Sequence, residues 1–383
     1  MSSASQHSAD VVIVGGGIGG LSNALALARG GYRVRLLEQA PEFGEVGAGL
    51  QMAPNATRIL RSWGLLDQVV ERGVLPRRLV FRDALDGSDL THLDLGKGFQ
   101  ERYDAPYVVI HRSDLHNILL EGCREAGVEL LTSSHVDDVL MVGSDAVALV
   151  GGQEYRADVV LAADGLNSSL RPRFSADEPV PSGYAAYRGA IPVADLPSTE
   201  YVSMQDVVVY FGPGCHFVQY PLRRGEIFNQ VAVFRSPAFL RGEENWGGPE
   251  ELEAAFAHCA PQVRAGLSVL WTDRYWPMYD RNPITSWVQG RLALTGDAAH
   301  PMLQYLAQGA CQAIEDAAAL ASHAGPRGAA GELLWDDALK AYQAERTVRT
   351  ARVQTTARLW GDIWHCDGLT RTLRNAVFRD RPI

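Results

Sequence analysis

The sequence predicts an α/β fold: a Rossmann-like dinucleotide-binding domain, interwoven with an antiparallel sheet and closed by a long C-terminal helix. Three observations predict it. Residues 10–38 read DVVIVGGGIGGLSNALALARGGYRVRLLE, an apolar strand, a glycine turn, a helix and a second strand that ends in an acid. Residues 291–320 repeat the strand, turn and helix plan late in the chain. Between them, residues 183–234 change to short strand runs parted by Gly and Pro turns.

Val11 to Val14 is apolar throughout, as a strand buried on both faces requires. Gly15, Gly17 and Gly20 give G-x-G-x-x-G around Ile18. The first glycine makes the turn, the second admits a pyrophosphate, and the third lets helix and strand pack closely. Glu38, 23 residues after Gly15, suits adenosine ribose hydroxyls. Next, Gly44, Gly47 and Gly49 make a loop expected to be held rigid by a ligand, and Pro54 begins a helix. In residues 107–122, YVVIHRSDLHNILLEG, Ser113 and Asp114 are helix-start residues and His111 is a packed neighbour. Residues 128–150 alternate as a small sheet would. A further apolar strand, VVLAA, ends in Asp164-Gly165.

Past Pro172 the runs AAYRGAIPV, DVVVYFG, CHFVQYPL and EIFNQVAVF read as a meander. In the third, His216, Val218 and Tyr220 share one face. Its ends stand about 13 Å apart, and an imidazole, a phenol and an apolar residue between them suit a small aromatic acid. Residues 250–270 read as helical, and 271–279 as an aromatic-rich return to the main sheet. Residues 336–364 form a long helical pattern whose Arg346, Arg349 and Arg352 are expected on a solvated face with salt bridges.

The chain has 383 residues, 46% hydrophobic and 21% charged, with a net charge of −10. That composition is globular and argues against nucleic-acid binding. It leaves room for an anionic substrate wherever a local Arg or His overrides the global field. No apolar run reaches the roughly 18 residues of a membrane helix. Five scattered cysteines (123, 215, 259, 311 and 366) without a CxxC pair imply reduced thiols in a cytoplasmic protein and no metal site. The opening MSSASQHSAD is read as a frayed tail without signal-peptide character.

The late stretch, RLALTGDAAHPMLQYLAQGACQAIEDAAAL, places Gly296-Asp297 at the carboxyl end of a strand, where open α/β sheets bind ligands. Asp297 can accept from sugar-like hydroxyls. Gly309 and Ala310 let a cofactor approach a helix start that favours negative charge. Gly-Asp-Ala-Ala-His-Pro before a Gly-Ala helix resembles the second FAD motif of the single-component aromatic hydroxylases, the class A flavoprotein monooxygenases. Asp164-Gly165 resembles their third motif, shared between FAD and NAD(P)H. The resemblance spans residues 15–367 and implies a glutathione-reductase-type FAD domain at 1–75, 100–172 and 285–330. It implies a substrate sheet at 76–99 and 173–284, and a helical segment at 331–383.

From the same resemblance, Gly47, Ala48, Gly49 and Gln51 run beside the flavin, and Arg112 reaches the FAD. Non-covalent FAD would act with NADH or NADPH as transient co-substrate and with O2, and a homodimer is in keeping with the family. His-Pro-Met-Leu-Gln-Tyr with the His216-x-x-x-Tyr220 strand resembles the group acting on 3-hydroxybenzoate or salicylate. A phenol of pKa about 10 and a histidine of about 6.5 let His216 assist through a hydrogen bond or relay. Gln304 is its expected neighbour across the pocket. Tyr220 would bind carboxylate or ring, Tyr107 and Val218 would line the substrate, and Pro301 the oxygen-reacting face. The expected reaction is para-hydroxylation of 3-hydroxybenzoate to 2,5-dihydroxybenzoate. A salicylate 1-hydroxylase, an FAD-dependent reductase on the same fold and a flavin-binding sensor are the alternatives.

Overall fold

The computed structural model describes residues 9–44, 47–328 and 335–381. The expected frayed tail, and residues 45–46 of the glycine loop, lie outside these.

The chain opens with β1 (Val11–Val14), α1 (Ile18–Arg29) and β2 (Val34–Leu37). Next come β3 (Gly49–Met52), α2 (Pro54–Ser62), α3 (Leu66–Arg72), β4 (Arg78–Asp83), β5 (Asp89–Asp94) and α4 (Lys97–Tyr103). Then β6 (Val108–His111) leads into α5 (Arg112–Glu125), β7 (Glu129–Leu131), a small sheet of β8 (Asp138–Val142), β9 (Asp145–Val150) and β10 (Gln153–Ala157), and β11 (Val159–Ala162). The α5 cap is His111, whose ring accepts from Ser113 N–H; the expected capping residue Asp114 instead pairs with Arg223.

The second half runs β12 (Val180–Pro192), β13 (Asp206–Gly212), β14 (Cys215–Leu222) and β15 (Ile227–Arg235). Three short helices follow, α6 (Pro237–Leu240), α7 (Pro249–Phe256) and α8 (Pro261–Leu267). Pro261 splits the single helix expected over 250–270, because proline cannot donate within a helix. Then come β16 (Trp276–Asp280), β17 (Val288–Gln289), β18 (Leu292–Leu294), α9 (Gly309–Ala324), α10 (Trp335–His365) and α11 (Gly368–Arg379). The 271–279 return does not join the main sheet: β16 pairs with β12.

Two sheets result. The first has the order β17-β18-β11-β1-β2-β7, parallel except for β17. Strands β1, β2 and β11 are buried along their whole length. The sequence steps from β1 to β2 on one side and to β11 on the other, so the crevice for a ligand opens beyond the end of β1. The second sheet has the order β16-β12-β15-β14-β13-β4-β5. One face packs Tyr210 and Phe217 against Phe256 and Val263 of α7 and α8. The other turns Val209, Val218 and Val231 toward the first domain and α10.

The 31-residue α10 ties the layers together. Its buried stripe includes Tyr342, Arg346, Thr350, Gln354, Ala357, Gly361 and Trp364, steps of three or four that keep one helix face inward. Arg346 therefore corrects the expected solvated arginine face. It is 2% exposed and bonds Asp316, Glu315 and Gln312, whereas Arg349 is half exposed and pairs with Glu315.

Candidate active site

The ends of β1, β11 and β18 lie side by side, and each breaks into a turn that faces one cavity of about 800 Å³. Gly15 sits at φ +103°, and a Cβ there would lie 2.4 Å from Ala163 O. A Cβ on Gly20 would lie 1.9 Å from Gly15 O. Those glycines hold the turn tight, so Gly16, Gly17 and Ile18 at the start of α1 face the cavity. Glu38 accepts from Gly16 N–H at 2.6 Å and Ala40 N–H at 2.8 Å, which fixes its carboxylate at the mouth of that turn.

Asp164 accepts from Ser169 N–H at 2.9 Å through Oδ2, while its buried Oδ1 has no partner among the described residues. The second helix start, Gly309-Ala310, lines the same cavity near Gly296 and Asp297. A Cβ on Gly19 of α1 would lie 3.5 Å from the Ala313 Cβ of α9, so the two helices pack closely, and both starts, Gly17-Ile18 and Gly309-Ala310, face the cavity where an anion would bind. Arg112 adds a cation to the lining. A glycine turn, a fixed ribose-type acid, an unpaired buried carboxylate oxygen and two convergent helix starts fit FAD. Gly15, Gly17 and Ile18 would take its pyrophosphate, Glu38 its ribose, and Asp297, Gly309 and Ala310 its ribityl and flavin end.

The far end of the cavity is floored by the second sheet. His216, Val218 and Tyr220 line it from β14, Val209 and Val231 from the flanking strands, and Trp360 and Trp364 from α10. Tyr107 donates to Gln51 Oε1 at 2.7 Å, and the Tyr220 ring closes over Gly49, where a Cβ would meet it at 2.5 Å. Burial pushes the Tyr107 and Tyr220 phenols well up, so both stay protonated donors. Burial, then the nearby His365, holds His216 far below the usual histidine range, so its ring stays neutral.

Of the predicted residues, Gly15, Gly17, Ile18, Glu38, Gly49, Gln51, Tyr107, Arg112, Asp164, His216, Val218, Tyr220, Gly296, Asp297, Gln304, Gly309 and Ala310 line this one cavity. Gly20, Gly47, Ala48 and Pro301 do not. Gly20 packs behind the turn, Gly47 lies against the Arg112 side chain, and the Ala48 carbonyl accepts from Arg112 N–H. Pro301 is buried with its carbonyl accepting from Gln354 of α10, so it backs the site. The expected His216–Gln304 pairing is also redrawn. His216 Nδ1 bonds His365 at 2.8 Å, and Gln304 Oε1 accepts from Arg188 at 3.4 Å.

Arg188 and His365 escaped the sequence reading. Arg188 lines the cavity beside Tyr220, lies over Trp276, and pairs with no carboxylate among the described residues. Its buried Nε is unpartnered there, and burial lowers its pKa. A charge inside the otherwise apolar AAYRGAIPV was the available signal. His365 ends α10, 149 residues from His216, and carried none.

Cradle and floor together define a flavoprotein that holds a small aromatic ring against its cofactor. Residues 8–357 match the family model described as FAD binding domain, and the chain belongs to that family, with FAD as its cofactor. It is similar over 97% of its length to the 3-hydroxybenzoate 6-hydroxylase of Polaromonas naphthalenivorans (strain CJ2), at 39% identity and 92% of that protein. It is 37% identical, over 96% of this chain and 91% of the relative, to the 3-amino-4-hydroxybenzoate 2-monooxygenase of Streptomyces cremeus. The chain is thus a flavoprotein aromatic monooxygenase. Among solved structures, Klebsiella pneumoniae HpxO with FAD and uric acid has a TM-score of 0.84 at 24% identity, covering 97% and 92% of the two chains. A salicylate hydroxylase substrate complex has a TM-score of 0.80 at 24%, covering 98% and 94%. These two likenesses speak for the fold. Among the described residues no helix is long and apolar enough to cross a membrane.

Proposed function

We propose that this enzyme hydroxylates 3-hydroxybenzoate with NAD(P)H and O2, para to the phenol, and releases 2,5-dihydroxybenzoate. One observation carries the reading: the cavity joins a neutral imidazole, His216, to a half-buried arginine, Arg188, that no described carboxylate neutralises. A phenolic acid answers both. Arg188 and Tyr220 take the carboxylate, which is how a chain of net charge −10 attracts an anion. His216 takes the phenol oxygen, Gln304 lines the same cavity on the Arg188 side, and Val218 and Tyr107 hold the ring. Bound FAD, reduced by NAD(P)H, supplies activated oxygen. The residues orient the ring, draw charge onto the phenol oxygen and exclude water.

The proposed division of labour gives FAD to residues 1–75, 100–172 and 285–330 and the substrate to 76–99 and 173–284. The strand membership of the two sheets supports it. A cytoplasmic homodimer belongs to the same reading. Five unpaired cysteines support the compartment, and the exposed Leu369, Leu373 and Val377 of α11 offer a face to a second copy.

Product analysis with a hydroxybenzoate panel tests the substrate. Catechol from salicylate, or no product from 3-hydroxybenzoate, overturns it. Arg188→Met should raise KM for 3-hydroxybenzoate roughly 10- to 100-fold, the loss of a charged hydrogen bond, and leave binding of an uncharged phenol unchanged. An equal loss for both ligands would remove Arg188 from the carboxylate.

A further inference from the structure

His216 is backed by a second histidine. Its Nδ1 lies 2.8 Å from His365 Nε2, with both rings buried, at 1% and 7% exposure. Tyr184 stacks on His365 at 4.5 Å, and Tyr305 and Trp364 close edge-on around the pair. The His365 carbonyl accepts from Gly214 N–H at 3.0 Å, which pins the end of α10 to the turn before β14. The backbone of His365 is thereby fixed beside β14, and its ring is held against His216 by Tyr184 and Tyr305.

A contact of 2.8 Å between two imidazole nitrogens holds one proton. Either His216 Nδ1 donates and its Nε2 faces the ligand as a base, or His365 Nε2 donates and His216 Nε2–H faces the ligand as a donor. The geometry is the same in both. His365 Nδ1 is buried with no partner among the described residues, so in either form one ring nitrogen is unsatisfied. Such an arrangement costs about 1–3 kcal/mol that two apolar rings would avoid, so stability alone gives no reason for it.

We propose that His365 is a positioning residue for the hydroxylation: it takes the Nδ1 proton of His216 as His216 Nε2 takes the phenolic proton of the substrate. This rests on the phenolic-acid reading above. The phenol O–H breaks and an N–H forms at His216 Nε2. The His216 Nδ1–H breaks and an N–H forms at His365 Nε2. No electron changes hands, the phenolate gains one negative charge, and His365 gains one positive charge. His216 stays neutral and ends as a donor to the phenolate oxygen, which holds the ring in its electron-rich form. The carbonyl end of α10 favours the cation at His365. Burial, then Arg374 and Arg235, holds His365 down to about 3, so it keeps the proton only while a phenolate balances it.

The test uses the FAD-loaded full chain and a nitro-substituted 3-hydroxybenzoate whose phenolate absorbs in the visible. The bound ligand's phenol pKa is titrated in wild type, His365→Phe, which keeps the stack on Tyr184, and His365→Gln, which can bond His216 but accept no proton. Both variants should raise that pKa by about one unit or more and slow hydroxylation about tenfold or more. Flavin reduction by NAD(P)H under anaerobic conditions should be unchanged. A wild-type value in His365→Gln would reduce His365 to a hydrogen-bond partner and overturn the proposal, as would no change in either variant. If both variants lose FAD, wild type decides it through ligand ionisation followed by stopped flow in H2O–D2O mixtures. A curved proton inventory is expected for two protons in flight, and a straight one refutes the relay. A wild-type flavin spectrum that no hydroxybenzoate perturbs would fail the phenolic-acid reading itself.

Discussion

Asp316 is the carboxylate on which both the α9–α10 packing and the Gly296 turn depend, and Asp316→Asn isolates its charge. Neither Asp316 nor His300 is measurably exposed. Asp316 accepts from His300 Nε2 at 2.6 Å, Arg346 Nε at 2.7 Å and Gly296 N–H at 2.9 Å. Burial alone would raise its pKa, but His300 and Arg346 overcome that and hold it at about 2. The asparagine removes the charge and leaves Arg346 buried. Breaking a buried pair this way costs about 3–5 kcal/mol, and Arg346 keeps Glu315 at 2.6 Å, so the lower figure applies. At roughly 2–4 °C per kcal/mol for a chain above 150 residues, the melting temperature should fall by about 6–12 °C. Because Gly296, at φ +58°, is fixed through that N–H, FAD affinity should fall as well. Thermal unfolding of apo and holo protein, with FAD titrated by flavin fluorescence, reads both. A shift under about 2 °C with unchanged FAD affinity would refute the coupling of this buried pair to the cofactor turn.

Three further outcomes are expected. Folded His216 and His365 both resist protonation, whereas an unfolded histidine titrates near 6.5, so the unfolded state takes up protons that the native state declines as pH falls. Stability should therefore drop below about pH 6.5, by about 1.4 kcal/mol per unit for each histidine, and urea unfolding at pH 7.5, 6 and 5 measures it. The Asp316 contribution persists in that range and is lost only as pH falls from about 4 through about 2. Gly49→Ala drives a methyl to within 2.5 Å of the Tyr220 ring, so ring binding measured at saturating FAD should weaken; an unchanged affinity for the ring would contradict the placement of Tyr220. Glu38→Ala should weaken FAD retention more than turnover at saturating FAD, and dialysis followed by an absorbance reading of bound flavin checks it.

The sequence by itself determined the cofactor half. Glycines 15, 17 and 20, Glu38, and the strand-end acids Asp164 and Asp297 work through local geometry. A turn, a helix start or a strand terminus puts each one at or just behind the cavity, whatever lies elsewhere. Strand alternation likewise put His216, Val218 and Tyr220 on one face before any fold was known. What only the tertiary structure decided was partnership. Nothing local packs α1 against α9 so closely that a Cβ on Gly19 would touch Ala313, or brings the end of α10 to β14 so that His365 meets His216. Arg346 looked solvated because a helix of mixed polarity does not announce which face it buries, and burial was set by two carboxylates from another helix. Pro301 looked like a wall of the pocket because its neighbours are, yet Gln354 holds its carbonyl from behind. Periodicity fixes which residues face the same way; long-range packing alone fixes what they face.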